Sequence, residues 1–86
     1  MKTIWMKKAQ KYLDRSPKSL QKKVEAALSE IEKVFPNVLA CQNVEKLQGE
    51  PNSFRCRVGA YRIVFMIDGE ILYIALIGPR GDVYKS

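Results

Sequence analysis

The clearest hydrophobic repeat in the chain runs through Leu20, Val24, Ala27, Leu28, Ile31 and Val34. That spacing lays the apolar side chains along one stripe of a helix, with Lys22, Glu25, Ser29, Glu32 and Lys33 on the solvent side. Ser16 followed by Pro17 predicts the start of the helix, with serine as N-cap and proline at the first helical position. Phe35-Pro36-Asn37 predicts its end, because a residue before proline avoids the helical region. Upstream, Ala9, Tyr12 and Leu13 share one side of a shorter helix in "KKAQKYLDR", broken by "RSPKS". The pattern predicts an antiparallel helical hairpin, preceded by a short apolar segment, Thr3–Met6, with the character of an edge strand.

After Pro36 the period changes. Asn37–Ser53 is poorly periodic, and a connection of that length in a compact domain is usually functional or partly structured. From Phe54 onward the β-branched and aromatic content predicts three strands, Phe54–Val58, Tyr61–Ile67 and Ile71–Ile77. Gly59-Ala60 fits a type II′ hairpin and Asp68-Gly69 a type I′ hairpin. These turns fix a register in which Arg57 faces Arg62, Arg55 faces Val64 and Phe54 faces Phe65. Strand alternation then gives one apolar face: Phe54, Cys56, Val58, Tyr61, Ile63 and Phe65, continued by Leu72, Ile74 and Leu76. Arg55, Arg57, Arg62, Val64, Met66, Tyr73 and Ala75 fall on the other. The fold class is α+β: a short N-terminal strand and a helical hairpin packed on a small, mainly antiparallel twisted sheet of about four strands.

The chain has 86 residues, enough for a single domain, 1–86. Its hydrophobic content of 47% and charged content of 28% are those of an ordinary globular protein. No apolar run approaches the ~20 residues of a membrane span. The opening "MKTIWMKKAQ" has no secretory hydrophobic region, which predicts a cytoplasmic protein without a membrane partner. The two cysteines, Cys41 and Cys56, have no metal-site spacing and read as free thiols. Histidine is absent, which removes the usual general base and the commonest metal ligand. The composition therefore predicts no metal and no cofactor, and leaves Arg, Lys, Tyr and carboxylates for any chemistry.

Charge sharpens the picture. Fifteen Lys and Arg against nine Asp and Glu give +6, a balance that favours a polyanionic partner. Three of the arginines lie within "FRCRVGAYR". Like charges directly opposite on a sheet repel, so Arg57 against Arg62 is a poor choice for a purely structural face. An anion resolves the conflict, since the guanidinium fork matches phosphate oxygens. The competing reading is a solvated face whose arginine stems cover apolar surface. The tail "IGPRGDVYKS" adds Arg80 and Tyr84 directly after the last strand.

Val44 to Lys85 resembles the C-terminal half of RelE toxins of bacterial type II toxin–antitoxin pairs, in the RelE/ParE superfamily. The resemblance rests on Lys46-Leu47-Gln48-Gly49, then Phe54-Arg55-Cys56-Arg57, Val58-Gly59-Ala60-Tyr61-Arg62, Asp68-Gly69, and Arg80-Gly81-Asp82-Val83-Tyr84. The N-terminal half is similar in layout only. The resemblance implies a small sheet on two helices and metal-independent cleavage of mRNA in the ribosomal A site. In that reaction the 2′-hydroxyl attacks the adjacent phosphate and leaves a 2′,3′-cyclic phosphate. It implies Arg57, Arg62, Arg80 and Tyr84 as catalytic residues, with Arg55 and Lys46 binding RNA or phosphate. It also implies a cognate antitoxin as partner, beside mRNA and the ribosome. Arg57 stands where relatives carry a lysine proposed as base, and arginine is a poor proton acceptor. The general base therefore stays open between Arg57 and Tyr84. Two other functions remain: a ParE-like gyrase inhibitor on the same scaffold, and a basic RNA-binding module without catalysis.

Overall fold

Eight short elements account for most of residues 1–79, which are the residues that the structure, a computed structural model, describes. Strand β1 (Lys2–Trp5) leads into helices α1 (Lys7–Asp14) and α2 (Lys18–Val34). A 3₁₀ turn (Val38–Ala40) and a three-residue strand β2 (Val44–Lys46) follow. Then come β3 (Ser53–Val58), β4 (Tyr61–Asp68) and β5 (Ile71–Pro79). The sheet has the order β1-β5-β4-β3-β2, with β1 parallel to β5 and the other pairs antiparallel. It thus has five strands where the sequence pattern predicts about four. The additional strand, β2, lies inside the segment 37–53 that shows little periodicity.

The helical hairpin is tied by polar groups at its corner. Pro17, not Ser16, is the N-cap of α2. The Ser16 hydroxyl instead donates to the Tyr12 carbonyl (2.7 Å), closing the last turn of α1. The Gln21 amide donates to the carbonyls of Leu13 (3.0 Å) and Ser16 (3.1 Å). These bonds satisfy carbonyls that a helix end leaves open. Phe35 takes an extended conformation (φ −53°, ψ 134°), as its place before Pro36 requires.

Both helices cover the same face of the sheet. Leu20, Val24, Leu28 and Ile31 of α2 and Ala9 of α1 pack with Val44, Cys56, Val58, Ile63, Phe65, Leu72, Ile74 and Ile77. Phe65 is fully buried and stacks on Phe54 with ring centres 5.5 Å apart. The β3–β4 register is the one that the turn at Gly59-Ala60 dictates, with Gly59 at φ +60°. Positive φ at that first turn position fits a type II′ turn. The β4–β5 turn differs. Asp68 pairs with Ile71, so its central residues are Gly69 (φ +61°) and Glu70, one step beyond Asp68-Gly69.

A bulge in β5 corrects the face assignment further along. Phe65 pairs with Ile74, but Val64 pairs with Leu76. Ala75 is the extra residue, and an extra residue reverses the alternation beyond it. Leu76 therefore turns to the arginine face rather than the apolar one, and Ile77 enters the core at 6% exposure.

Cys56 is buried in this core and Cys41 is half-buried. Burial, with a smaller contribution from Cys41, pushes the Cys56 thiol up to about 11. Burial and the Glu30 carboxylate also raise Cys41. Two outcomes follow from the packing. Phe65→Ala is expected to lower the unfolding free energy by about 3–5 kcal/mol, a large share of the ~5–15 kcal/mol typical of a domain, measured by urea denaturation. At neutral pH the native Cys56 thiol holds on the order of a hundredfold less thiolate than an unperturbed cysteine. Iodoacetamide labelling followed by mass spectrometry should therefore show Cys56 reacting at least that much more slowly in the folded chain than in denaturant. The native rate should keep climbing with pH towards about 11.

Candidate nucleic-acid interface

With the helices on one side, alternate residues of β3 and β4 are turned to the other. Arg57 and Arg62 are directly paired across the two strands. Gly78 of β5 completes that rung and adds no side chain to it. Arg57 is exposed, while Arg62 is half-buried with its Nε closed off from solvent. One of the two guanidiniums is thus held by its surroundings and the other is open to solvent. Their carrier strands are joined by a two-residue turn, which keeps the pair close. A phosphodiester placed between them can accept from both forks.

The next rung aligns Glu45, Arg55, Val64 and Leu76. Glu45 accepts a hydrogen bond from the Arg55 Nε at 3.0 Å. Both side chains are partly exposed, at 31% and 55%, so this pair adds little stability. Its effect is orientation: it holds Arg55 towards the β2 edge and offsets one positive charge of the three. Glu45 is the part of the site that sequence reasoning missed, because a three-residue strand is too short to leave an alternation.

The sequence-predicted residues thus divide. Arg55, Arg57 and Arg62 come together on one face. Lys46 does not join them. It pairs with Phe54 at the end of β2 and by alternation belongs to the helix side, where its side chain is exposed. Arg80 and Tyr84 lie outside the described residues. Among the described residues no three of His, Cys, Asp and Glu gather as metal ligands, and no helix is long and apolar enough to cross a membrane.

Three hollows flank this region, one of them, ≈ 330 Å³, against Arg57 and lined also by Ile31, Cys41 and Cys56; the other two lie on opposite sides of the sheet. The larger, ≈ 540 Å³, lies between α1 and the start of β4 and is lined by Lys8, Lys11, Tyr12, Arg15 and Tyr61. It is on the helix side and includes none of the three arginines. A second, ≈ 450 Å³, is on the arginine face itself, over Val64, Met66 and Leu76.

Comparison with known proteins places this geometry. The chain resembles one of the chains in the RelB–RelE antitoxin–toxin complex from Methanococcus jannaschii, with 24% identity, 94% of each chain covered and a TM-score of 0.75. It resembles the isolated RelE toxin of E. coli at 20% identity, with 96% of this chain and 89% of that chain covered and a TM-score of 0.78. A YoeB/ParE toxin from Agrobacterium tumefaciens matches at 16% identity, 93% and 99% coverage and a TM-score of 0.78. Identities this low establish a shared fold. No protein of curated function matches the sequence significantly. The sequence pattern of the ParE toxin of type II toxin–antitoxin systems, parDE, spans residues 3–84. That match covers nearly the whole chain, the three strand-borne arginines included, and so the protein belongs to the ParE toxin family, within the RelE/ParE superfamily, and is a toxin of a type II toxin–antitoxin system.

Proposed function

We propose that this toxin is a metal-independent endoribonuclease that cuts mRNA at the ribosome. The observation that carries the reading is the Arg57–Arg62 rung on the face of the sheet away from the helices. A sheet that needed only solubility there would not set two guanidiniums directly opposite each other.

The reaction needs little beyond positioned cations. The 2′-hydroxyl oxygen attacks the neighbouring phosphorus, the bond from phosphorus to the 5′ oxygen breaks, and a 2′,3′-cyclic phosphate and a 5′-hydroxyl result. The intermediate geometry gathers negative charge on the non-bridging oxygens, and fixed donors aimed at that charge lower the barrier. Arg62 and Arg57 take that role, with Arg55 drawing in a flanking phosphate. Arg80 serves the departing 5′ oxygen. Tyr84 orients the 2′-hydroxyl or accepts its proton, a task for which arginine is poorly suited. The +6 charge suits both a ribosomal site and an acidic antitoxin. Three of the solved relatives are complexes of RelE with RelB, which supports a cognate antitoxin as the regulating partner.

A second reading is favoured by the matched family itself, described as the ParE toxin. In that case the protein inhibits DNA gyrase and performs no chemistry. Expression in a bacterium separates the two. Cyclic-phosphate 3′ ends on ribosome-bound mRNA are the result expected; an SOS response with double-strand breaks and intact message would overturn the nuclease. Arg57→Ala and Arg62→Ala are each expected to lower the cleavage rate about 10²–10³-fold, with thermal unfolding to confirm that the variants fold. Arg80→Ala and Tyr84→Ala are expected to abolish toxicity while the antitoxin still binds. Full toxicity in all four variants would remove the arginine face from the mechanism.

A further inference from the structure

The face of the sheet away from the helices is not uniform. Along β4, Arg62 is followed on the same side by Val64 and then Met66. One end of the face is cationic and the other is apolar. Val64 is only 8% exposed although it faces away from both helices. The hollow of ≈ 450 Å³ sits at this apolar end, with Val64, Met66 and Leu76 as its floor, Leu47 as its wall and Gln48 and Glu50 at its rim. Leu76 contributes only because the bulge at Ala75 turns it to this side.

The wall is a built structure. The turn from β2 to β3 is closed by Leu47 N–H donating to the Ser53 carbonyl (3.0 Å) and Ser53 N–H to the Glu50 carbonyl (3.3 Å). A third bond fastens it to β4, from Ile67 N–H to the Asn52 carbonyl (2.9 Å). Asn52 holds a positive φ of 67° to reach that position, a conformation that asparagine tolerates better than most residues. A wall fixed this way does not have to be ordered when something enters.

We infer that this hollow receives the base of a nucleotide whose phosphate lies between Arg57 and Arg62, and that Gln48 and Glu50 select which base enters. The inference rests on the endoribonuclease reading and adds to it a source of base preference within the toxin. Three observations support a base as the occupant. The hollow begins one rung from the arginine pair, a separation of roughly 6.5–7 Å along a strand, which a single ribose spans. Its floor is apolar and includes a methionine thioether, which makes favourable contacts with aromatic rings. Its rim carries one amide and one carboxylate, the groups that hydrogen-bond the pairing edge of an unstacked base. A carboxylate at that edge accepts from exocyclic amino groups and repels carbonyl oxygens. Bases that carry an amino group are therefore favoured over uracil.

Equilibrium binding to short single-stranded RNAs tests this. The RNAs carry 2′-O-methyl groups to block cleavage and differ by one base at each position in turn. Programmed ribosomes are included for a parallel series. The wild-type protein should bind amino-bearing bases about five- to a hundredfold more tightly than uracil at one position. Gln48→Ala/Glu50→Ala should bring that ratio to within about twofold. Both residues are exposed, so the variant should fold, and a thermal melt checks it. Arg62→Ala should weaken all the RNAs alike. Binding of wild type with no base ratio, or the same ratio in the rim variant, overturns the base pocket and leaves the arginine site standing. Failure of the wild type to bind any RNA, with or without ribosomes, overturns the nuclease reading and this inference with it.

Discussion

The controlling constraint is that both helices lie on one side of a single sheet. Strand residues alternate between faces, so every second position in β3 and β4 is committed to the core with α1 and α2. The positions between them are released from packing against the helices. Cys56, Val58, Ile63 and Phe65 fill the first set, and Arg55, Arg57 and Arg62 occupy the second. Function and stability are thereby written on interleaved residues of the same two strands. The arginines gain a rigid base without having to contribute to it, and their mutual repulsion is small beside the apolar burial beneath them.

Much of this was legible before any coordinates. The helix through Leu20–Val34 and the hairpin at Gly59 follow from spacing and turn chemistry, and together they fix the face that carries the arginines. What escaped reading has physical causes. In "IALIGP" the residues Ala75, Leu76 and Ile77 are all apolar, so alternation cannot reveal which of them is the inserted one. Strand β2 has three residues, too few for a period, and with it went Glu45 and its bond to Arg55. Ser16 has the residue type of an N-cap, yet its hydroxyl donates to the Tyr12 carbonyl of the preceding helix. Lys46 belongs to a motif by sequence, but its place in the register puts it on the other face from the arginines.

Fold and chemistry separate cleanly in this superfamily. RelE and YoeB/ParE chains of quite different sequence share the sheet and helices of this protein. The scaffold therefore specifies a face and does not specify what is done there. The distinction between a nuclease and a gyrase inhibitor has to come from side chains on that face and in the tail beyond β5. In this chain the face offers paired guanidiniums beside an open, largely apolar hollow.

The parallel pairing of β1 with β5 joins Lys2 to Ile71. The first strand made on the ribosome thus waits for the last described strand before it has a partner. Domains assemble as units during synthesis only when their contacts are within the emerged chain, and long-range pairing slows the final step. A nascent chain of this protein remains open beside β1 until Ile71–Pro79 has been made, and the Arg57–Arg62 rung lacks its Gly78 neighbour for the same interval. A cell making a toxin gains a delay from that topology, in which a partner already present can meet the chain before the binding face is complete.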